Sequence, residues 1–270
     1  MLAADKRVLS DIRLAHGPCG LLARYFAFAD AFARARGILL RVRTDFYGLL
    51  ALNQKEADNW SPLSPMFNPY CCNLSAANAF WIEGVDETGD PVVVNAGRLY
   101  DHGGRSVADD LRTLEVFYDD PEPYVAAGER VTISAPSAQN ICGRVTFAGA
   151  MWVRPDYRRM GFSKIVPRLT RGYALTQWNT PAFWAGIEPD LDEKGVTRAY
   201  GSWHVEEGFT LHMPGWRGDL EFLFLSMGQV TLVRDLAETL AHSATDTSRR
   251  SDNPITNKSP FLHQGMRMRS

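Results

Sequence analysis

Val153-Arg154-Pro155-Asp156-Tyr157-Arg158-Arg159-Met160-Gly161-Phe162-Ser163 joins two segments of different period. Ahead of it, Val145-Thr146-Phe147-Ala148-Gly149-Ala150-Met151-Trp152-Val153 is apolar and β-leaning, and behind it residues 164–177 read as a helix. A strand that stops at a proline and turns through a short basic loop into a helix suits a phosphate group. The amides of a first helical turn have no intrahelical partner, and the helix dipole adds partial positive charge there. Arg158 and Arg159 supply full charge, and Gly161 lets the backbone come close to a ligand.

The chain around this stretch has 270 residues, 45% of them hydrophobic and 22% charged, the composition of a globular protein with a sizeable core. A formal net charge of −2 gives no basic field for nucleic acid or an anionic membrane. No run reaches the roughly 18 apolar residues of a membrane span. The first residues lack the basic-then-apolar order of a secretory leader, so a cytoplasmic location is the expectation. Cys19, Cys71, Cys72 and Cys142 are spaced neither as a zinc framework nor as a redox pair, which leaves free thiols and no metal.

In chain order, residues 21–36 form an amphipathic helix with Leu21, Tyr25, Phe28 and Phe32 on one face and Gly37 as its stop. Residues 38–43 read as a strand, and a helix capped by Thr44 or Asp45 follows, reaching Lys55. Residues 60–74 are a loop in which Pro62, Pro65 and Pro69 sit among Trp60, Phe67 and Tyr70, either lining a cleft or covering the core. Residues 79–85 and 91–100 make a hairpin, Ser106 caps a short helix, 119–128 is a Pro-rich surface loop, and 131–134 is a short strand. Beyond the opening stretch come a strand at 182–187, a helix at 193–206 stopped by Gly208, a strand at 220–227 and a helix at 229–241. From Ser243 the composition turns polar, as in a flexible tail or arm.

Val153-x-Pro155-x-x-Arg158-x-x-Gly161-x-Ser163 resembles the acyl-coenzyme A signature of the GCN5-related N-acetyltransferase (GNAT) superfamily, with Ser163 where Gly or Ala is usual. The order of elements is also similar to that family's over residues 38–227, most closely at 145–209. The resemblance implies an α+β (α/β) fold: a mixed, mostly antiparallel central sheet, helices on both faces, and two splayed parallel strands at the acyl-CoA site. It divides the chain into an N-terminal helical extension (1–37), an acyltransferase domain (38–242) and a tail (243–270). It implies acetyl-CoA or another acyl-CoA as co-substrate. Met151, Trp152 and Val153 would lie along pantetheine, and Arg158, Arg159, Met160, Gly161, Phe162 and Ser163 around pyrophosphate. A buried strand edge with unpaired polar groups is costly, so a ligand that offers hydrogen bonds suits the gap.

The family's second signature is a helix with tyrosine four residues before Gly-Phe, where the phenol protonates the departing thiolate. Gly208-Phe209 is present, but His204 holds the tyrosine position and Tyr200 lies one turn earlier; either is a candidate acid, or neither is. Glu188, at the end of the strand at 182–187, is the first candidate base, with Glu83 and Asp101-His102 as others. No nucleophile–His–acid order is present, which favours direct attack of an amine on the thioester. The implied activity is acyl-CoA-dependent N-acyl transfer, most simply acetyl transfer, to an amine of a small molecule or a protein. The alternative is a coenzyme A-binding regulatory module without turnover. No membrane partner is implied, and a homodimer is left open. Nucleic-acid association through Arg249, Arg250, Lys258, Arg267 and Arg269 of the tail is the weaker reading.

Overall fold

The computed structural model describes residues 6–7, 12–214 and 218–251, with side chains for 12–214 and 218–244. The elements are β1 (Lys6–Arg7), α1 (Cys19–Arg34), β2 (Leu39–Arg43), α2 (Phe46–Lys55), β3 (Ala79–Val85), β4 (Pro91–Ser106), α3 (Val107–Arg112), α4 (Glu122–Ala126), β5 (Arg130–Ile133), β6 (Cys142–Val153), α5 (Phe162–Trp178), β7 (Ala182–Ile187), α6 (Pro189–Glu193), α7 (Val196–Tyr200), β8 (His204–His212), β9 (Leu220–Gly228) and α8 (Gln229–Ser251). Among the described residues the strands form one sheet in the order β1-β2-β3-β4-β6-β7-β9-β8-β5. Every pairing is antiparallel except that of β6 with β7. The fold is therefore the mixed, mostly antiparallel sheet that the sequence implies.

Strand alternation divides the core in two. On β3, Phe80 and Ile82 join α1, α5 and α8 on one face, while Trp81 joins α2 and α3 on the other. The caps of α2 and α3 are those the sequence offers: Asp45 accepts from the Gly48 amide at 3.0 Å, and Ser106 forms a capping box with Asp109. Helix α1 buries Leu22, Tyr25, Phe26, Ala29 and Ala33. Leu22 and Phe26 each contribute about 1.5–3 kcal/mol by leaving water. The Tyr25 hydroxyl donates to the Ile165 carbonyl at 3.2 Å, and Phe32 meets Phe162 edge to face at 5.5 Å. A helix that lies outside the family likeness thus buttresses the start of α5.

The feature that makes a site is the parting of β6 from β7. They are in register only at Val145↔Ala182, Thr146↔Phe183 and Phe147↔Trp184. Beyond these, β6 stays on β4 as far as Val153 and β7 stays on β9 as far as Ile187. Just past the parting, β6 carries a β-bulge. Gly149 faces Ala96 and Trp152 faces Val94, so Ala150 and Met151 stand against Asn95 alone. Ala150 takes φ 51, a left-handed conformation that a non-glycine residue holds only under constraint. The Asn95 side-chain amide donates to the Gly149 carbonyl at 2.7 Å and ties the bulge to β4.

Three expectations are corrected. Residues 193–206 are not one helix: α6 and α7 are separate short helices, and β8 begins at His204. Gly195 at φ 78 and Gly201 at φ 136 interrupt the chain where a continuous helix was expected. Gly208 is not a helix stop. It lies in β8 beside a register shift, where a Cβ would stand 2.1 Å from the Phe222 carbonyl oxygen, so its place reflects the close approach of β9. Third, α8 passes residue 241 and runs to Ser251. Residues 252–270, with Lys258, Arg267 and Arg269, lie outside the described residues, as do the side chains of Arg249 and Arg250. The segment 119–128 also contains the short helix α4. Among the described residues, no helix is long and apolar enough to cross a membrane.

Candidate active site

The parting of β6 and β7 opens a cavity of about 220 Å³, lined by residues 148–151 of β6, residues 185–187 of β7 and Glu188 just after it. Helix α5 adds Pro167 and Arg171, the α7–β8 segment adds Tyr200 and Trp203, and the segment after α2 adds Trp60, Pro62 and Leu63. A second cavity, of about 350 Å³, lies at the α5 N-terminus. Met151, Trp152, Val153, Tyr157, Arg158, Arg159, Gly161, Phe162 and Ser163 line it. Trp60, Ser61, Met151, Leu191 and Tyr200 line both, so the two cavities adjoin as parts of one cleft region.

The loop between β6 and α5 is held from three sides. Arg154 pairs with Asp156 at 2.8 Å and Asp86 at 3.0 Å, joining the loop to the β3–β4 turn. Arg36, just past α1, donates to the Met160 carbonyl at 3.0 Å. Gly161 sits at φ 90 as the residue before α5, and a Cβ there would come within 3.2 Å of the Phe32 ring. Arg159 is also left-handed, at φ 65. Gly161, Phe162 and Ser163 at the start of α5 line the second cavity beside Arg158 and Arg159, while the Lys164 amide donates to the Gly161 carbonyl at 3.0 Å. The Arg158 guanidinium is folded onto the carbonyls of Val153 (3.1 Å) and Asn59 (3.2 Å). Met160, expected with the others around pyrophosphate, is exposed and lines neither cavity, and its carbonyl accepts from Arg36. Trp152 is buried, its ring stacked on Trp60 at 5.1 Å.

Of the candidate catalytic residues, the structure brings Tyr200 and Glu188 into one cavity and leaves His204 out. Tyr200 lines both cavities. Burial pushes its phenol well above its ordinary value, so the hydroxyl stays protonated. Glu188, at the cap of α6, lines the first cavity. His204 lies at the start of β8, is largely exposed, and contacts the Glu206 carboxylate at 3.3 Å. The broken helix takes His204 off the face that would have carried it alongside Tyr200.

The other candidates are occupied elsewhere. Glu83 is buried in an ion pair with Arg43 at 2.9 Å. His102 is buried against Asp110 at 2.5 Å and stacked on Tyr100, and it lines neither cavity. The aromatic loop divides: Trp60 lines the cleft, whereas Met66, Phe67 and Cys72 are buried in the core. Among the described residues no group of three or more His, Cys, Asp or Glu is arranged to hold a metal ion.

The sequence reading missed what holds Tyr200. Arg168 and Arg171 of α5 converge on Asp235 of α8, with Arg168 Nε at 2.8 Å and Arg171 Nη2 at 3.6 Å from Oδ2. Arg168 also donates to the Ala199 carbonyl at 2.8 Å and Arg171 to the Tyr200 carbonyl at 2.5 Å. Burial pulls the Arg171 guanidinium down to about 10, against the opposing pull of Asp235, and it is still charged at neutral pH. Three charges from two helices therefore fix the end of α7 in the cleft.

No protein-family model matches the chain, and no curated protein matches it. Solved structures do. An aminoglycoside acetyltransferase AAC(6')-Ib in complex with coenzyme A and kanamycin is 11% identical, covering 73% of this chain and 98% of its own, with a TM-score of 0.39. RimJ of Mycobacterium smegmatis in complex with CoA-disulfide is 12% identical over 76% and 90%, with a TM-score of 0.43. A variant of the spermidine N-acetyltransferase SpeG of Vibrio cholerae is 9% identical over 73% and 97%, with a TM-score of 0.40. At such scores and identities these likenesses do not bear on activity.

Proposed function

We propose that the chain is an acyl-coenzyme A-dependent N-acyltransferase of the GNAT type. One observation carries this reading: β6 and β7 part at a bulge, and the cavity in the gap adjoins the one at the basic loop and the start of α5, sharing Trp60, Ser61, Met151, Leu191 and Tyr200 with it. Backbone groups of β6 that β7 no longer pairs suit the amides of a pantetheine arm. The amides around Gly161, with Arg158 and Arg159, suit a pyrophosphate. On ligand binding, Arg158 exchanges the Val153 and Asn59 carbonyls for phosphate oxygens.

Direct transfer follows. The neutral amine attacks the thioester carbonyl, the C–N bond forms, and the C–S bond breaks as the tetrahedral intermediate collapses. Glu188, directly or through water, takes the proton that the amine nitrogen sheds and returns it to solvent. Tyr200 donates a hydrogen bond to the developing thiolate. With so high a phenol pKa, it stabilises the leaving sulfur without giving up its proton for long, and coenzyme A leaves as the thiol with a proton from solvent. Two candidate groups in one cavity favour turnover over a binding module.

The test is release of free thiol from acetyl-CoA with and without an amine. Release that depends on the amine supports the enzyme. Binding of acetyl-CoA with no amine-dependent release across a broad panel points to the regulatory module instead.

A further inference from the structure

Given the acyltransferase reading, we infer that the acceptor is a monoamine on an apolar body, and that Trp60 selects it. The first cavity takes one wall from each face of the sheet. Trp60, Leu63 and Phe222 pack with the core on the α2–α3 side, and Tyr200 and Trp203 on the α5 side. Tyr200 belongs to the leaving thiol, so the opposite wall of Trp60, Pro62, Leu63 and Phe222 is left for the acceptor. Those four side chains are apolar, with Ser61 and Ser64 beside them.

Charge supports the same choice. Among the described residues lining either cavity, Glu188 is the one carboxylate, while Arg158, Arg159 and Arg171 are cations. With Arg158 and Arg159 on pyrophosphate and Arg171 on Asp235, the further ammonium groups of a polyamine would meet no carboxylate other than Glu188 in the described lining, and an unpaired charge out of water is strongly disfavoured. A single amine needs only Glu188.

The wall is also fixed in advance. Trp60 stacks on Trp152 at 5.1 Å with 14° between ring planes. Buried Asn53 clamps the segment on both sides of Pro62, donating to the Ser61 carbonyl at 2.9 Å and accepting from the Leu63 amide at 3.0 Å. A rigid aromatic face binds a flat or extended apolar group with little ordering cost.

The experiment compares kcat/KM for 2-phenylethylamine, n-hexylamine and spermidine, with acetyl-CoA as donor and thiol release as readout. It uses the wild type, Trp60→Ala and Trp60→Phe, and acetyl-CoA affinity is measured by calorimetry on the same preparations. The two apolar monoamines are expected to exceed spermidine by about tenfold or more in the wild type. Trp60→Ala is expected to reduce the phenylethylamine-to-spermidine ratio by about tenfold, and Trp60→Phe to restore most of it. Both substrates share the acyl-CoA site, so the ratio is insensitive to damage there. If Trp60→Ala does not fold, the wild-type ranking and Trp60→Phe still decide. Spermidine equal to or better than the monoamines, an unchanged ratio in folded Trp60→Ala, or binding of acetyl-CoA with no turnover of any of the three would overturn the inference. Failure of the wild type to bind acetyl-CoA would instead overturn the acyltransferase reading beneath it.

Discussion

Asp235→Ala is expected to lower the unfolding free energy by about 3–5 kcal/mol, because it leaves a buried charge without its partner. The Arg171 side chain is 1% exposed and that of Asp235 is 4% exposed, so water cannot take the carboxylate's place without opening the core. Arg168 loses its ion pair with the same carboxylate and its Nη2 hydrogen bond to Oδ1. Asp235→Asn keeps the shape and removes the charge, and it is expected to lose most of the same stability. Urea unfolding of the three proteins measures this. A loss below about 1 kcal/mol for both variants, the value typical of an exposed pair, would show that the charges are not coupled as described. Both variants should also lower turnover, since the two arginines hold the carbonyls of Ala199 and Tyr200.

Tyr200→Phe is expected to reduce kcat by about 10²–10³-fold while acyl-CoA affinity holds, because the ring remains and only the hydrogen-bond donor to the developing thiolate is gone. The pH dependence has a definite sign. Desolvation raises the phenol above the ordinary tyrosine value of about 10, and a raised value favours the neutral, donating form. The wild-type rate should therefore show no alkaline fall due to Tyr200 as pH rises toward about 10. Retention of kcat within about twofold in Tyr200→Phe would remove the phenol from the mechanism. So would an alkaline limb near the free phenol value that disappears in the variant, because it would require an unburied hydroxyl.

How much of this was legible depended on whether the signal was local. The strand at 182–187, the hairpin, the Ser106 cap and the β6–loop–α5 unit all carry their information within one element, and each is found where the sequence puts it. The helix expected at 193–206 failed because its helix formers lie between two glycines whose positive φ breaks it, and because the start of β8 pairs with β9, the strand that follows it. That error moved His204 into the candidate site on sequence grounds. Trp60 was visible as part of an aromatic loop, but its stacking on Trp152 and its clamp by Asn53 are tertiary facts. Asp235, Arg168 and Arg171 had no sequence signal at all. Each is an ordinary charge on an amphipathic helix until α5 and α8 are packed together.

The central claim is that the β6–β7 gap and the α5 loop form one acyl-CoA site, and hydrogen–deuterium exchange tests it most directly. Exchange is measured with and without saturating coenzyme A, on the unaltered protein. The account predicts slowed exchange in residues 148–153 and 158–164 together, the strand edge that meets pantetheine and the amides that meet pyrophosphate. Coenzyme A that leaves both segments unprotected, or that protects only a surface remote from them, would contradict it.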